Sequence, residues 1–340
     1  MAAGIRLTPG RSLGSARRML SYHVGAMRGV ILVTDYDWFQ FLAVRSDLDE
    51  VNFWRPSDTR TPRQLLPGMP VLFKLRKRHG AWIVGYGVFA KHKVLPAWLA
   101  WESFGPANGA ATFPEMRARI ERLRSEGGVD SGRPGEIDIG CLMLCQPVFL
   151  PRESWVGPPA DWPENAVQGS AYDLDEGEGA RIWNEVLASA GSHGAYGIAP
   201  ALVAKDAPRR GAAALVQPRL GQGTFRIAVL DAYAGACAVT GEHSLPALEA
   251  AHIRPFADDG PHEVTNGLLL RSDLHRLFDK GYVGVDNAYR FIVSKRLRED
   301  FANGRSYYPL HGQAIHSPGT PSERPDHGQL RWHLERVFKG

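Results

Sequence analysis

The side chains best suited to acid–base and metal chemistry lie in residues 248–281, LEAAHIRPFADDGPHEVTNGLLLRSDLHRLFDKG. His252 lies on a predicted short strand, Asn266 ends a loop whose backbone its amide could bridge, and His275 lies on a predicted helix. A histidine with a pKa of about 6.5 can take a proton from water at neutral pH. One divalent cation can neutralise a phosphate and stabilise the oxygen that leaves it. This order of residues is therefore what hydrolysis of a phosphodiester with one metal would need.

The predicted helix, residues 273–280, offers two candidate metal ligands. His275 and Asp279 are four residues apart and project from one helical face. A histidine and a carboxylate at that spacing can share one metal ion. Ser272 is expected to cap this helix, and Gly281 to end it.

Each of these residues also has an ordinary structural interpretation. Taken alone, His252 could be a core histidine, and His275 with Asp279 could be a helix-surface pair worth a few tenths of a kcal/mol. The order and spacing of the residues together favour the catalytic interpretation. Three nearby arginines are candidates for phosphate contacts, with a solvated surface charge as the alternative: Arg254, Arg271 and Arg276.

The composition is that of an ordinary globular protein with a mild positive charge. The 340 residues are enough for two domains or one large one. The net charge of +4 is compatible with a polyanionic partner. No apolar run approaches the roughly 20 residues of a membrane helix, so a membrane partner is not expected. The three cysteines are too few for a disulfide framework and favour a reducing, cytoplasmic location.

Composition also divides the chain into five predicted segments. These are an extension 1–26, a first domain 27–188, a linker 189–215, a second domain 216–316 and a tail 317–340. The extension has four arginines and no acidic residue, so it is either a transit peptide or, as we predict, a disordered segment before a start at Met27. The linker is rich in Gly and Ala. The tail is expected to be disordered as far as Asp326 and then to form a terminal helix.

The first domain alternates short predicted strands with helices. Strands are expected at 28–34, 51–56, 71–78, 81–90 and 137–150, and helices after Asp35 or Asp37 and at 96–104, 113–125 and 175–188. The alternation predicts an α+β fold built on a small, curved, mixed β-barrel with helices on its rim. In the second domain, Thr224 is expected to cap a helix that runs to Tyr233.

Aromatic and basic residues of the first domain are candidates for nucleic-acid contact. Its tryptophans could include a platform on which bases stack, although aromatic residues at this spacing are more often core. Trp54 beside Arg55 is one candidate, and the basic arm that contains Lys74 and Arg76 is another. Asp35 and Asp37 could bond the edge of a flipped base, or they could cap the first helix.

The second domain resembles the HNH endonuclease family, which has the ββα-metal fold. The blocks that carry the resemblance are CAVTG, EAAHI, NGLLLRSDLH and LFDKG, in that order. The resemblance implies that His252 is the general base, Asn266 the loop-orienting residue and His275 a metal ligand, with Asp279 as a further ligand. It also implies one divalent metal, Mg²⁺ or Mn²⁺. No structural zinc is expected, because Cys237 alone cannot replace the four cysteines that some members carry.

The chain departs from the family pattern at Ala251, where many members have a metal-binding Asp or His. Glu249 lies two residues earlier on the same predicted strand, so it would point to the same side. Glu249 could supply the missing ligand, directly or through water. Alternatively, His275 and Asp279 hold the metal with water alone, or the site is weakened.

The first domain resembles the PUA-like superfamily, which includes the EVE and SRA domains, over about residues 28–175. The resemblance is carried by DYDWF, VNFWRP and GMPVLFKL. It implies binding of modified bases, so the two resemblances together predict a restriction endonuclease that acts on modified DNA. The alternatives are a nucleic-acid-binding protein with a degenerate site and an HNH nuclease that ignores modification. A homodimer is compatible with the leading prediction, since one such site cuts one strand.

Overall fold

The computed structural model describes residues 27–56, 65–128, 137–164, 166, 168–192 and 219–340. The predicted extension and residues 193–215 of the predicted linker lie outside these ranges. Residues 189–192 of the predicted linker belong to a helix, Gly177–Ser192. Below, residues 27–192 are called the first half and residues 219–340 the second half.

The first half is built on one mixed sheet. Its strands are β1 Arg28–Thr34, β2 Glu50–Arg55, β3 Pro70–Leu75, β4 Ile83–Pro96, β5 Asp138–Phe149 and β6 Gly169–Asp173. They lie in the order β2-β5-β4-β3-β1-β6, with β1 and β3 parallel and the other neighbours antiparallel. Within the described residues the edge strands β2 and β6 do not pair with each other. The α+β class is confirmed, but the sheet of the described residues is not closed, so the predicted small mixed β-barrel is not confirmed. Strand alternation in a sequence does not reveal whether a sheet closes.

Four helices accompany this sheet. They are α1 Tyr36–Ala43, α2 Ala97–Phe104, α3 Phe113–Glu126 and α4 Gly177–Ser192. Asp35 caps α1, since its carboxylate accepts from the Trp38 N–H at 3.1 Å. This contact favours the capping interpretation of Asp35 over the base-binding one.

Helices cover both faces of the sheet, so the central strands are buried on both sides. Phe73 packs in an apolar cluster with Trp38 and Leu42 of α1. Leu72, the preceding residue, packs on the opposite face with Trp183 of α4. Every residue of β3 is buried in consequence. A basic residue on this strand therefore lies inside the protein.

The second half is a set of short hairpins and helices. The strands are β7 Leu248–His252, β8 Gly267–Arg271, β9 Val283–Val285 and β10 Phe291–Val293. The helices are α5 Gln222–Ala232, α6 Ser272–Asp279, α7 Arg296–Phe301 and α8 His327–Arg336. Strand β7 pairs antiparallel with β8, and His252 lies opposite Gly267. The hairpin β7–β8 followed by α6 is the ββα unit that contains the candidate site.

Two predicted helix caps are wrong. Helix α5 begins before Thr224, which lies inside its first turn. Helix α6 begins at Ser272, and Arg271, in the capping position, makes no capping bond with its side chain. Both side chains have the right chemistry for a cap, but the capping position lies three residues earlier in α5, at Gly221, and one residue earlier in α6, at Arg271.

The tail packs against the ββα unit. The Asp326 N–H donates to the Thr265 carbonyl at 2.8 Å, so the predicted disorder of residues 317–326 was wrong. Leu330 and His333 of α8 are buried. The His333 ring stacks on Phe278 of α6 at 3.7 Å, and its Nε2–H donates to the Phe278 carbonyl at 3.0 Å. A polar, proline-rich segment can lack long helices and strands and still pack against the rest of the protein.

The two halves share one apolar core. A single cluster of buried side chains contains Leu99 and Phe104 of α2 together with Phe225 and Val229 of α5. The halves are therefore joined by packing as well as by the chain. In the ranges that the structure describes, no helix is long and apolar enough to cross a membrane.

The buried His333 makes the stability of the second half depend on pH. Burial lowers the pKa of His333 from its ordinary 6.5 to about 4. The unfolded chain therefore binds a proton that the folded chain excludes between these values, so stability falls as the pH is lowered from about 6.5 to about 4. We expect the free energy of unfolding of the wild type to fall by up to about 1.4 kcal/mol per pH unit more than that of His333→Phe. Denaturant titrations between pH 7 and pH 4 measure both slopes.

His316→Ala removes an exposed histidine from the same half and serves as the control. It should keep the wild-type slope. Equal slopes for the wild type and His333→Phe would contradict the assignment of the effect to His333.

Candidate active site

His252 is held at the end of β7 by an aromatic ring from α5. The Phe225 ring lies against the imidazole, with ring centroids 3.9 Å apart and an angle of 11° between the planes. This approach requires a glycine opposite His252, because a Cβ at Gly267 would collide with Val229 and Phe225. The orientation of the His252 ring thus depends on how α5 packs against the β7–β8 hairpin.

A second histidine contacts the first. His252 Nε2 lies 3.1 Å from His262 Nδ1, and since one nitrogen must donate and the other accept, the contact couples the tautomers of the two rings. His262 also stacks on Phe256 at 4.6 Å. The sequence analysis did not single out His262. The available signal was a second imidazole inside the loop that Asn266 was expected to shape.

His252 is uncharged at neutral pH. Burial lowers its pKa to about 4, and the charges that His262 and His275 carry when protonated act in the same direction. Burial also lowers the pKa of His262, while the Asp49 carboxylate opposes that shift. A neutral imidazole has a free lone pair, so His252 is in the protonation state that a proton acceptor requires.

Asn266 holds the loop that follows β7. It is fully buried, and its Oδ1 accepts from the Arg254 N–H at 2.9 Å. Its Nδ2 donates to the carbonyls of Arg254 and Pro261, both at 2.9 Å. One side chain therefore ties together two points of the loop that carries His262.

Glu249, His275 and Asp279 form a contiguous cluster beside the hairpin. His275 Nδ1 lies 2.6 Å from a Glu249 oxygen, and His275 Nε2 lies 3.4 Å from an Asp279 oxygen. Burial raises the pKa of Asp279, and the neighbouring His275 opposes that shift. Ala251 is fully buried in the apolar core, so it contributes no ligand.

The donor atoms of this cluster suit a divalent metal, because two carboxylates and an imidazole are ligands for Mn²⁺ and, through the carboxylates, for Mg²⁺. Their arrangement is that of an ion-pair cluster, since both nitrogens of His275 face a carboxylate. In the described part of the chain, no group of three or more His, Cys, Asp or Glu side chains is placed to hold a metal ion. Binding a metal would require His275 to release one of its two carboxylates.

The three candidate arginines differ in their surroundings. Arg271 makes a two-pronged ion pair with Asp273, at 2.9 and 2.7 Å. The Arg254 guanidinium lies over the Trp332 ring at 5.5 Å. Arg276 is exposed and makes no ion pair with any residue that the structure describes. Arg276 is therefore the most available of the three for a phosphate.

The first-half candidates do not form one surface. Trp54 Nε1 donates to the Asn108 carbonyl at 2.8 Å, and Arg55 bonds Gln168 Oε1 at 3.0 Å. Lys74 is only 5% exposed, with its ammonium 4.3 Å from the centre of the Trp162 ring, and burial lowers its pKa.

Arg76 is exposed, so the predicted basic arm is split between the interior and the surface. The expectation that Lys74 lies on a nucleic-acid surface was wrong. The physical reason is that both faces of β3 are covered by other elements.

The ββα unit has a neutral histidine on its strand and possible metal ligands at its helix. Residues 237–286 match the family model of the HNH endonuclease, and this segment is an HNH endonuclease domain. Among solved structures, the chain is similar to a modification-dependent TagI restriction endonuclease. The identity is 13% and the TM-score 0.26, over 87% of this chain and 78% of that one. No curated protein matches the chain.

The hydrogen bonds of the Asn266 amide should stabilise the loop, so replacing Asn266 should lower the stability of the protein. Asn266→Ala removes the bonds to the partly buried N–H and carbonyl of Arg254 and to the carbonyl of Pro261, which should lower the free energy of unfolding by about 1–3 kcal/mol. Asn266→Asp keeps the shape but turns a carboxylate oxygen toward two carbonyls, and should cost at least as much. Denaturant unfolding at pH 7 measures both variants.

Asn287→Ala, at an exposed turn, is the matched control and should change stability by no more than about 0.5 kcal/mol. Wild-type stability of Asn266→Asp would show that the donor bonds contribute nothing.

Proposed function

We propose that this protein is a DNA endonuclease that hydrolyses phosphodiesters with His252 as the general base and one divalent metal, and that it restricts DNA carrying modified bases. The observation that carries the proposal is the neutral, half-buried His252 in a ββα unit, with its ring held by Phe225 and His262. A base that is unprotonated at neutral pH, on a rigid strand, is what activation of a water molecule needs.

The chain's own residues divide the work of the reaction. His252 takes a proton from the attacking water, and its contact with His262 sets which nitrogen is free to do so. Asn266 keeps the loop in the shape that brings His262 to His252. Glu249 takes the place of the ligand absent at Ala251.

Glu249, His275 and Asp279 would hold the divalent metal, which supplies positive charge to the phosphate and to the leaving oxygen when bound.

The second half offers a proposed contact to the DNA backbone. Arg276 is an exposed cation on the helix that carries His275, and it would bind a backbone phosphate. Arg271 is less suited to this role because Asp273 already neutralises it. One such site cuts one strand, so two copies of the chain would be needed to cut both strands at one place.

An aromatic cleft in the first half supports the recognition part of the proposal. It has a volume of about 550 Å³, and its lining includes Tyr36, Phe39, Phe149, Arg152 and Trp155. The Arg152 guanidinium lies 5.7 Å from the centre of the Trp155 ring. Flat rings beside a cation suit a planar heterocycle, and we propose that this cleft receives a base of the DNA.

Replacing His252 should separate cutting from binding. With Mg²⁺ or Mn²⁺, we expect His252→Ala to reduce cleavage by about 10²–10⁴-fold, the usual contribution of a general base, with little change in the dissociation constant for DNA. The exposed His243→Ala is the control and should cleave normally. Full activity of His252→Ala would refute its role as the base.

The same assay on matched modified and unmodified phage DNA tests the recognition part. Preferential cleavage of DNA with modified cytosine supports it, and equal cleavage of both would favour a nuclease that ignores modification.

Replacing Glu249 tests the metal assignment and the alternative of a binding protein with a degenerate site. The observation that favours this alternative is that both nitrogens of His275 face carboxylates, so neither nitrogen is open to a metal. Glu249→Gln should weaken Mn²⁺ binding, measured by calorimetry, by at least about 10-fold, because it removes a charged ligand. Glu263→Gln, an exposed residue on the adjacent loop, should leave the affinity unchanged.

Unchanged affinity in Glu249→Gln would remove Glu249 from the ligand set. Absence of metal binding by the wild type would favour the binding protein.

A further inference from the structure

A carboxylate of the first half is buried in the first turn of α5. Glu50, at the start of β2, is 9% exposed. Its carboxylate accepts from the Gly223 N–H at 2.5 Å, from the Thr224 N–H at 3.0 Å and from the Thr224 hydroxyl. A Cβ at Gly221 would collide with the Glu50 side chain, so the backbone ahead of α5 is shaped for this contact.

The chemistry of the contact fixes the position of the helix. The first N–H groups of a helix have no partner within it, and an anion at that end is stabilised both by these donors and by the helix dipole. Glu50 supplies the carboxylate from a strand of the sheet. Burial raises the pKa of Glu50, and the hydrogen bonds from Thr224 and Gly223 oppose that shift and favour the charged form. The first turn of α5 is therefore anchored to the first half through charge-assisted hydrogen bonds in a buried place.

The anchored turn leads directly to His252. Phe225 follows Thr224 in α5, is 1% exposed and stacks on the His252 imidazole. One helical turn further on, Val229 packs against Gly267, the partner of His252 in the hairpin. Two residues thus connect the carboxylate of the sheet to the ring of the proposed base.

Other ion pairs join the halves along the same helix, but they are more exposed. Lys91 and Lys93 contact Asp231, and Glu102 contacts Arg226 at 3.1 Å. The Glu102 side chain is 49% exposed. Exposed pairs contribute little and leave side chains free to move, so they do not fix the helix as Glu50 does.

We propose that Glu50 is a positioning residue for the nuclease site: it fixes the first turn of α5 and, through Phe225, the orientation of the His252 ring. The inference rests on the proposed role of His252 as general base. It makes the first half a structural part of the catalytic centre in addition to its proposed role in recognition. The nuclease site would then work fully only while the two halves remain docked.

Glu50→Gln in the full chain tests the proposal, because it keeps the size of the side chain and removes the charge. We expect kcat on DNA to fall about 10–100-fold, the range for a small misplacement of a catalytic group, while the dissociation constant for DNA stays within about 2-fold. Glu102→Gln is the matched control, since it removes the exposed carboxylate that pairs with the same helix. It should retain wild-type kcat.

A double-mutant cycle separates positioning from general destabilisation. If Glu50 acts through Phe225, Glu50→Gln combined with Phe225→Leu should lower kcat by no more than the larger of the two single effects. Multiplication of the two single effects would overturn the proposed route through Phe225.

A readout that needs no cleavage keeps this proposal distinct from the proposed function. The Cε1–H signal of the His252 imidazole can be assigned by its loss in His252→Ala, and the stacked ring of Phe225 is expected to shift it. Glu50→Gln should move this signal, and Glu102→Gln should not. A moved signal in a protein without nuclease activity would support the positioning and refute the nuclease function.

An unmoved signal together with wild-type kcat would overturn the positioning alone. If Glu50→Gln does not fold, Thr224→Val removes only the hydroxyl donor of the same contact, and the same two readouts then decide.

Discussion

Helix α5 is the element on which the arrangement of this protein depends, and the buried contact of its first turn with Glu50 is the interaction that fixes it. On one side the helix belongs to a core shared with α2 of the first half. On the other side it presents Phe225 to His252. The two halves therefore pack against each other within the described residues. They meet at the helix that orients the proposed base.

The surroundings of His252 keep its imidazole unprotonated at neutral pH but also lower its basicity. Burial keeps the imidazole neutral, with a pKa of about 4, which leaves one ring nitrogen unprotonated but also makes the ring a weak proton acceptor. A nearby negative charge raises the pKa of a histidine. A phosphodiester that enters the site brings such a charge, so substrate would strengthen the base at the moment when a proton has to move. The contact with His262 couples a second ring to the same change.

The sequence predicted the local unit well and the tertiary contacts poorly. Spacing alone located the hairpin and helix that carry His252, Asn266 and His275, because hydrophobic periodicity and loop chemistry are local properties. It did not predict that Lys74 is buried or that the tail packs on α6, since both depend on which surfaces meet. Thr224 has the chemistry of a helix cap and instead donates its hydroxyl to Glu50, a residue 174 positions away. A contact between residues so far apart in the chain cannot be predicted from the local sequence pattern.

The buried position of Ala251 limits where a carboxylate can be placed on strand β7. Its side chain is fully covered by the apolar core, whereas Glu249 reaches His275. An aspartate introduced at position 251 would put an unpaired charge into that core, at a cost of several kcal/mol, before it could serve as a ligand. A carboxylate at position 249 and one at position 251 are therefore not interchangeable without repacking this core.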